Sequence, residues 1–262
     1  MAAQIVGQLL DNKFHRFSHL RFLHLLGELK MWPKCLISMG IYPKPRSEVT
    51  DSGVVCGLEH CVNGQGAALN QVLAALPYQT GTGHWTCVPV RRVKRYYSPH
   101  EEFILTNEGF KVPTKKDPYH LFRWRGASFA IYNCFELASI EDRTIFKGKV
   151  DFIVASEFNR DTTYFSNIVE SAARDLHCYV VQVNDSKFGD SRVVSPSKSE
   201  SMNPLRIKGG DNLTFLTMNL NLKALRTHQR KGYGLQKDSK DFKPTPPGFP
   251  MNELKARIAL GP

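Results

Sequence analysis

One segment of the chain has the residue types for nucleophilic chemistry: Ile131-Tyr132-Asn133-Cys134-Phe135-Glu136-Leu137. Phe, Ile and Tyr favour a pleated surface, so 129–134 is expected as a strand that ends on the cysteine. The stretch 136–146 has helix-compatible spacing and is expected to follow as a helix. A cysteine at such a junction meets the N–H groups and dipole of the helix start, which stabilise a thiolate or a developing oxyanion. The spacing alone also fits a cysteine that simply packs as a small apolar side chain. No GxSxG accompanies Ser98-Pro99 or Ser195-Pro196, so no serine elbow is expected, and the nine histidines, of which only His15 and His19 stand in HxxxH spacing, are not expected to hold a metal. Cys56 and Cys61 lack a second pair at zinc-site spacing.

The elements that must hold Cys134 follow from periodicity. Residues 53–58, 71–76 and 84–90 read as short strands, the last two joined by a turn over 80–83. The run 151–155 is continuously apolar, as a strand buried on both faces requires. Residues 165–176 repeat at helical spacing and end near Arg174 and His177, cations that suit a helix C-terminus. Residues 178–183, 191–194 and 214–220 complete the set of strands. Residues 1–40 read as helix-like, with an apolar face over 14–26 broken at Trp32-Pro33, and 41–52 as a loop. From Gly232 the chain becomes Lys/Pro/Gly-rich, which predicts a tail that runs along the surface or reaches a partner. Strands alternating with helices imply an α/β architecture. The expected organisation is one domain over 1–231, with an atypical or shortened start over 1–52, and a basic tail over 232–262.

Composition bounds the class. Of 262 residues 42% are apolar and 23% charged, enough for a sizeable core and far from disorder. Neither a run of about 18 apolar residues nor a secretory start is present, so no membrane span is expected and a reducing cytosol is, with the six cysteines mostly buried and free. The net charge of +11, with one dense basic run at 91–95, suits anionic partners, nucleic acid above all, but a solvated surface plus a basic tail is the favoured explanation.

The segment around Cys134 resembles the nucleophile strand of the nitrilase (carbon–nitrogen hydrolase) superfamily, in which an aromatic and an acidic residue follow the cysteine. The order of later segments is similar too: 151–158 resembles the next strand, 171–184 a helix and a strand closing on Asn184, 189–197 a glycine–serine turn and strand, and 213–225 a late strand and helix. The resemblance spans roughly residues 53–230. It implies a four-layer αββα sandwich, a Glu-Lys-Cys constellation with a second glutamate, hydrolysis of a small amide or N-carbamoyl compound through a thioester, no cofactor, and a homodimer. Residues 93–102 resemble the family's lysine segment, which makes Lys94 the catalytic lysine and Glu102 the second glutamate, with Glu101 one register step away. Glu28 is the first glutamate by position, with Glu48 and Glu59 as fallbacks. Only 27 residues precede Glu28, so the start is either truncated or unusual. The Phe135 N–H would be an oxyanion donor; Glu136 and Glu157 either line the pocket or pair with a nearby Lys or Arg; Asn184 either caps a strand near the site or holds a turn. The competing reading is a domain that keeps this fold as a binding or regulatory module, within a nucleic-acid-associated assembly; plain nucleic-acid binding through 91–95 and the tail leaves the Cys134 segment unexplained.

Overall fold

The computed structural model describes residues 2–7, 39–43, 54–63, 65–79, 81–82, 85–114, 116–124, 126–209 and 216–259. Twelve strands are described: β1 (Ala2–Gly7), β2 (Met39–Pro43), β3 (Val54–Val62), β4 (Ala68–Gln79), β5 (Trp85–Val93), β6 (Phe122–Trp124), β7 (Ala127–Asn133), β8 (Phe152–Glu157), β9 (Tyr179–Asn184), β10 (Ser191–Val194), β11 (Leu205–Ile207) and β12 (Leu216–Asn221). The helices among the described residues are α1 (Pro99–Asn107), α2 (Ile140–Thr144), α3 (Thr162–Leu176), α4 (Leu222–Arg230), α5 (Tyr233–Lys237) and α6 (Met251–Ala259).

The strands form two six-stranded sheets, in the orders β12-β1-β2-β3-β4-β5 and β11-β10-β9-β8-β7-β6. The first is antiparallel at every pairing, and β4 and β5 form the expected hairpin, Gln79 facing Trp85. In the second, β7, β8 and β9 are parallel, with antiparallel strands at both edges. The sequence dictates this division. Parallel strands need crossovers, which the segments between β7, β8 and β9 supply, and both faces of such strands must be covered.

Side-chain alternation shows what covers them. Phe129, Ile131, Phe152, Val154, Tyr179 and Val181 point to one face and pack with Val72 and Ala74 of β4. Ala130, Tyr132, Ile153, Ala155 and Val180 point to the other and pack with Val169, Ala172, Ala173 and Leu176 of α3. The two sheets therefore stack face to face, with α3 over the outer face of the second. That accounts for three layers of the expected αββα sandwich; the apolar segment 14–26 lies outside the described residues.

Helix α3 is positioned by its ends as well as its apolar stripe. The Asp161 carboxylate accepts from the Tyr164 N–H at 3.1 Å, and His177 takes the left-handed conformation at φ 52°, which closes the last turn. Its buried stripe Phe165, Val169, Ala172, Ala173 and Leu176 repeats at helical spacing. Burying each of the larger three is worth about 1.5–3 kcal/mol. At the turn before β10, Gly189 has φ +73°, and a Cβ there would sit 1.6 Å from the Lys208 carbonyl oxygen, so glycine is required.

Three local expectations change. Residues 2–7 form a strand where helix-like periodicity was expected, because β12 and β2 pair with β1 on either side. Residues 41–43, expected as loop, belong to β2. Residues 232–259 fold back onto the domain: Phe242 enters the cluster between the sheets, and Leu254 and Arg257 of α6 are buried. Arg257 donates to the Val150 carbonyl and the Gln229 side chain. The imidazoles of His177 and His228 stack at 5.6 Å, and both donate Nε2–H to the Lys243 carbonyl, at 2.7 and 2.9 Å. Two rings can share one carbonyl only as donors, so both are Nε2–H tautomers. Burial lowers both from the usual imidazole value, His177 to about 4.

Candidate active site

Cys134 follows β7 directly and begins a 3-10 turn, Cys134–Ala138. Its φ of +45° lies in the left-handed region, unfavourable for any residue with a Cβ. Such a conformation persists only where the surroundings over-determine it, and Glu136 is what does so here. Its carboxylate accepts four hydrogen bonds: Oε1 from Arg92 Nη1 and the Arg95 N–H, both at 2.6 Å, and Oε2 from Arg92 Nη2 at 2.7 Å and the Asn133 N–H at 2.8 Å. A carboxylate has about four lone-pair sites, so none is left for a substrate. Glu136 is fully buried and pairs with an arginine that is itself 2% exposed. Of its two possible roles, pocket lining and ion pairing, the geometry matches the second.

Lys94 lies just past β5, at the sheet edge next to α1. Its ammonium is buried and donates to Glu101 Oε2 at 2.5 Å. Glu101 is fixed by the start of α1: Ser98 Oγ accepts the Glu101 N–H at 3.2 Å, Glu101 Oε2 accepts the Ser98 N–H at 3.2 Å, and Pro99 opens the helix. Glu101 Oε1 accepts from Asn70 Nδ2 at 2.9 Å, and Asn70 Oδ1 accepts from Asn133 Nδ2 at 2.7 Å. One chain of hydrogen bonds thus runs from the residue before Cys134, through β4 of the opposite sheet, to the Lys94–Glu101 pair. Glu102, expected as the second glutamate, is exposed on the next helical position and lines an outer groove with Arg95, Lys111 and Lys116. The acid that reaches Lys94 is therefore Glu101, the alternative one register step away. One step along a helix turns a side chain by about 100°, enough to take it out of the site.

The Cys134 side chain is partly exposed, and its sulfur accepts the N–H of Phe158, the first residue after β8. Its thiol pKa is pushed up to about 12, first by burial and then by the charge of Glu157, against the lowering effect of Lys94 and of the Phe158 N–H. Glu101 adds a smaller push upward. Glu157 ends β8 and is 2% exposed. Its Oε2 accepts from Gln182 Nε2 at 2.8 Å, and Arg192 Nε donates to Gln182 Oε1 at 2.9 Å. Burial lifts its carboxyl pKa to about 8, while Gln182 and Arg192 pull the other way. The Phe135 N–H sits in the first turn after Cys134, where a helix offers it no internal acceptor. Asn184 holds a turn: its amide reaches the Asn159 carbonyl at 2.7 Å and the Gly189 carbonyl at 2.8 Å, and accepts the Asn159 N–H at 2.9 Å.

The structure therefore brings Cys134, Lys94, Glu101 and Glu157 together, uses Glu136 as an internal anchor, and leaves Glu102 outside. Glu28 and Glu48 lie outside the described residues; Glu59 lies on β3, opposite Gln71 of β4. Arg92, Asn70, Asn133 and Gln182 were not singled out by the sequence, because their partners are 10 to 63 residues distant. Among the described residues no helix is long and apolar enough to cross a membrane, and no group of three or more His, Cys, Asp or Glu stands where it could hold a metal ion.

No family model matches the chain, and no curated protein matches it. Solved structures do. A CN-hydrolase superfamily protein from Xanthomonas campestris, with an arsenic adduct in its active site, is 17% identical with a TM-score of 0.48, over 72% of this chain and 70% of its own. An amidase from Nesterenkonia sp. is 14% identical with a TM-score of 0.47, over 71% of this chain and 66% of its own. A glutamine-dependent NAD+ synthetase from Acinetobacter baumannii is 15% identical with a TM-score of 0.46, over 66% of this chain and 32% of its own. The first two of these solved structures that the chain is similar to are members of the CN-hydrolase (nitrilase) superfamily.

Proposed function

We propose that the chain hydrolyses the C–N bond of a small amide or N-carbamoyl compound through a thioester on Cys134. The observation that carries this reading is the convergence near one strained turn of a thiol, a buried ammonium, a buried carboxyl group (Glu157) and a half-buried one (Glu101) from four separate segments. Cys134 is the nucleophile. A thiol with a pKa near 12 is ionised to only about one part in 10⁵ at pH 7. It is therefore a neutral thiol at rest and must lose its proton as it attacks, which requires a general base. Glu28 is our candidate for that base. Lys94, held by Glu101, offsets the carboxylates and donates to the oxyanion that forms on the amide oxygen, together with the Phe135 N–H. Water then cleaves the thioester.

The test is ammonia release from a panel of small aliphatic amides and N-carbamoyl amino acids, with the purified chain at pH 7. At least one is expected to be turned over. A chain that folds yet releases ammonia from none is better described as a binding module.

A further inference from the structure

We propose that Glu157 is a catalytic residue of this reaction: its Oε1 carries the proton that is given to the departing nitrogen, while Gln182 holds its other oxygen. The proposal rests on the hydrolase reading above and deepens it.

Three observations place the proton. Glu157 Oε2 already accepts from Gln182 Nε2 at 2.8 Å, and Gln182 is locked in that orientation because its own oxygen accepts from the fully buried Arg192. An amide whose oxygen is so engaged can only donate to Glu157, so Oε2 is an acceptor and a proton on this carboxyl sits on Oε1. Oε1 is buried and has no hydrogen-bond partner among the described residues. A buried polar atom without a partner is costly and calls for an explanation, a catalytic role among them. Third, Glu157 is coupled to the thiol: the N–H of the next residue, Phe158, bonds to the Cys134 sulfur, and no other charged group acts on that thiol as strongly as Glu157.

The groups that face Glu157 are Gln182 of β9, Arg192 of β10, Asp190 in the turn before it, and Cys134 after β7. Arg192 favours the ionised form, Asp190 and burial the neutral one, and burial dominates. The carboxyl is thus mostly protonated at neutral pH and still acidic enough to give the proton up, the condition for an efficient general acid.

The steps balance. The thiol proton passes to the general base as sulfur bonds to the amide carbon. As the C–N bond breaks, Glu157 Oε1–H gives its proton to the nitrogen, and ammonia leaves. The resulting Glu157 carboxylate takes a proton from the water that attacks the thioester. When the C–S bond breaks, the base returns its proton to sulfur.

The experiment compares the full chain with Glu157→Gln by infrared spectroscopy across pH 6–10 and by the pH profile of kcat/KM on an amide that the unaltered chain hydrolyses. We expect the carbonyl band of one protonated carboxylic acid at pH 7, absent from Glu157→Gln and lost as pH rises through about 8. The profile should fall over the same range, and in Glu157→Gln that limb should vanish with kcat lowered by about 10²-fold or more. Glu157→Asp keeps the acid one methylene short; it should retain the band and the limb at a reduced rate, and serves if the glutamine variant does not fold. A protonated band absent at pH 7, or a kcat within a few-fold of the original in Glu157→Gln, overturns the proposal and leaves the thioester reading intact. A chain that hydrolyses no amide overturns the thioester reading, and the donor role with it, even if the band is present.

Discussion

Cys134→Ala is expected to abolish amide hydrolysis, by about 10⁶-fold where a covalent nucleophile acts as one unit with its base, and to leave the fold in place. The side chain is partly exposed, and alanine meets the same left-handed backbone at this position as cysteine does, so the strain at φ +45° is unchanged. The anchors of the turn belong to its neighbours, Asn133 and Glu136. Cys134→Ser should lose nearly as much activity. A thiol pushed up to about 12 is still far more acidic than a hydroxyl in the same place. Thermal melting coincident with the original chain, together with loss of ammonia release, is the expected pair of results. A variant that keeps even a hundredth of the activity would move the nucleophile elsewhere.

Glu136→Ala is expected to destabilise the domain by about 3–5 kcal/mol, the usual penalty for leaving one member of a buried ion pair unmatched. Both partners are almost completely enclosed, so little solvent screening reduces that figure. Arg92 would keep a contact to the Ile131 carbonyl at 3.2 Å but lose its counter-charge, and the N–H groups of Arg95 and Asn133 would lose their acceptor. The double replacement Arg92→Met/Glu136→Leu should recover a large part of the loss, because no charge is then stranded. Urea unfolding of the three variants measures this. A Glu136→Ala chain within 1 kcal/mol of the original would mean that Glu136 does not anchor the turn.

The two predictions draw on parts of the molecule that were unequally legible in the sequence. Strands β7, β8 and β9 could be read because they are buried on both faces, which writes them as mostly apolar runs. The three-residue strands β6 and β11 carry no such run and exist through their pairing with β7 and β10. Residues 232–259 look like a tail because lysine, proline and glycine dominate; three anchors, Phe242, Leu254 and Arg257, hold them to the domain, and Arg257 is read as a surface cation until the carboxylate of Asp151 appears beside it.

The site shows the same division. Cys134 and Lys94 could be named as candidates from their order along the chain. Glu101 rather than Glu102 was legible too, by a different signal: Ser98-Pro99-His100-Glu101 is a capping box with proline at the first helical position. Once the helix starts at Pro99, Glu101 is tied back to its N-terminus, and Glu102 faces away. The role of Glu136 could not be read, because its arginine lies 44 residues earlier in another sheet. Glu157 had two readings in the sequence, pocket lining or a pair with a nearby Lys or Arg; its enclosed, half-satisfied carboxyl could not be read there.

The most direct measurement is the mass of the Cys134 peptide after the chain is quenched in acid during turnover of an amide. The acyl group of the substrate is expected on Cys134, lost on further incubation at the rate of product release. Ammonia release with an unmodified Cys134, or with the acyl group on another side chain, would contradict the account.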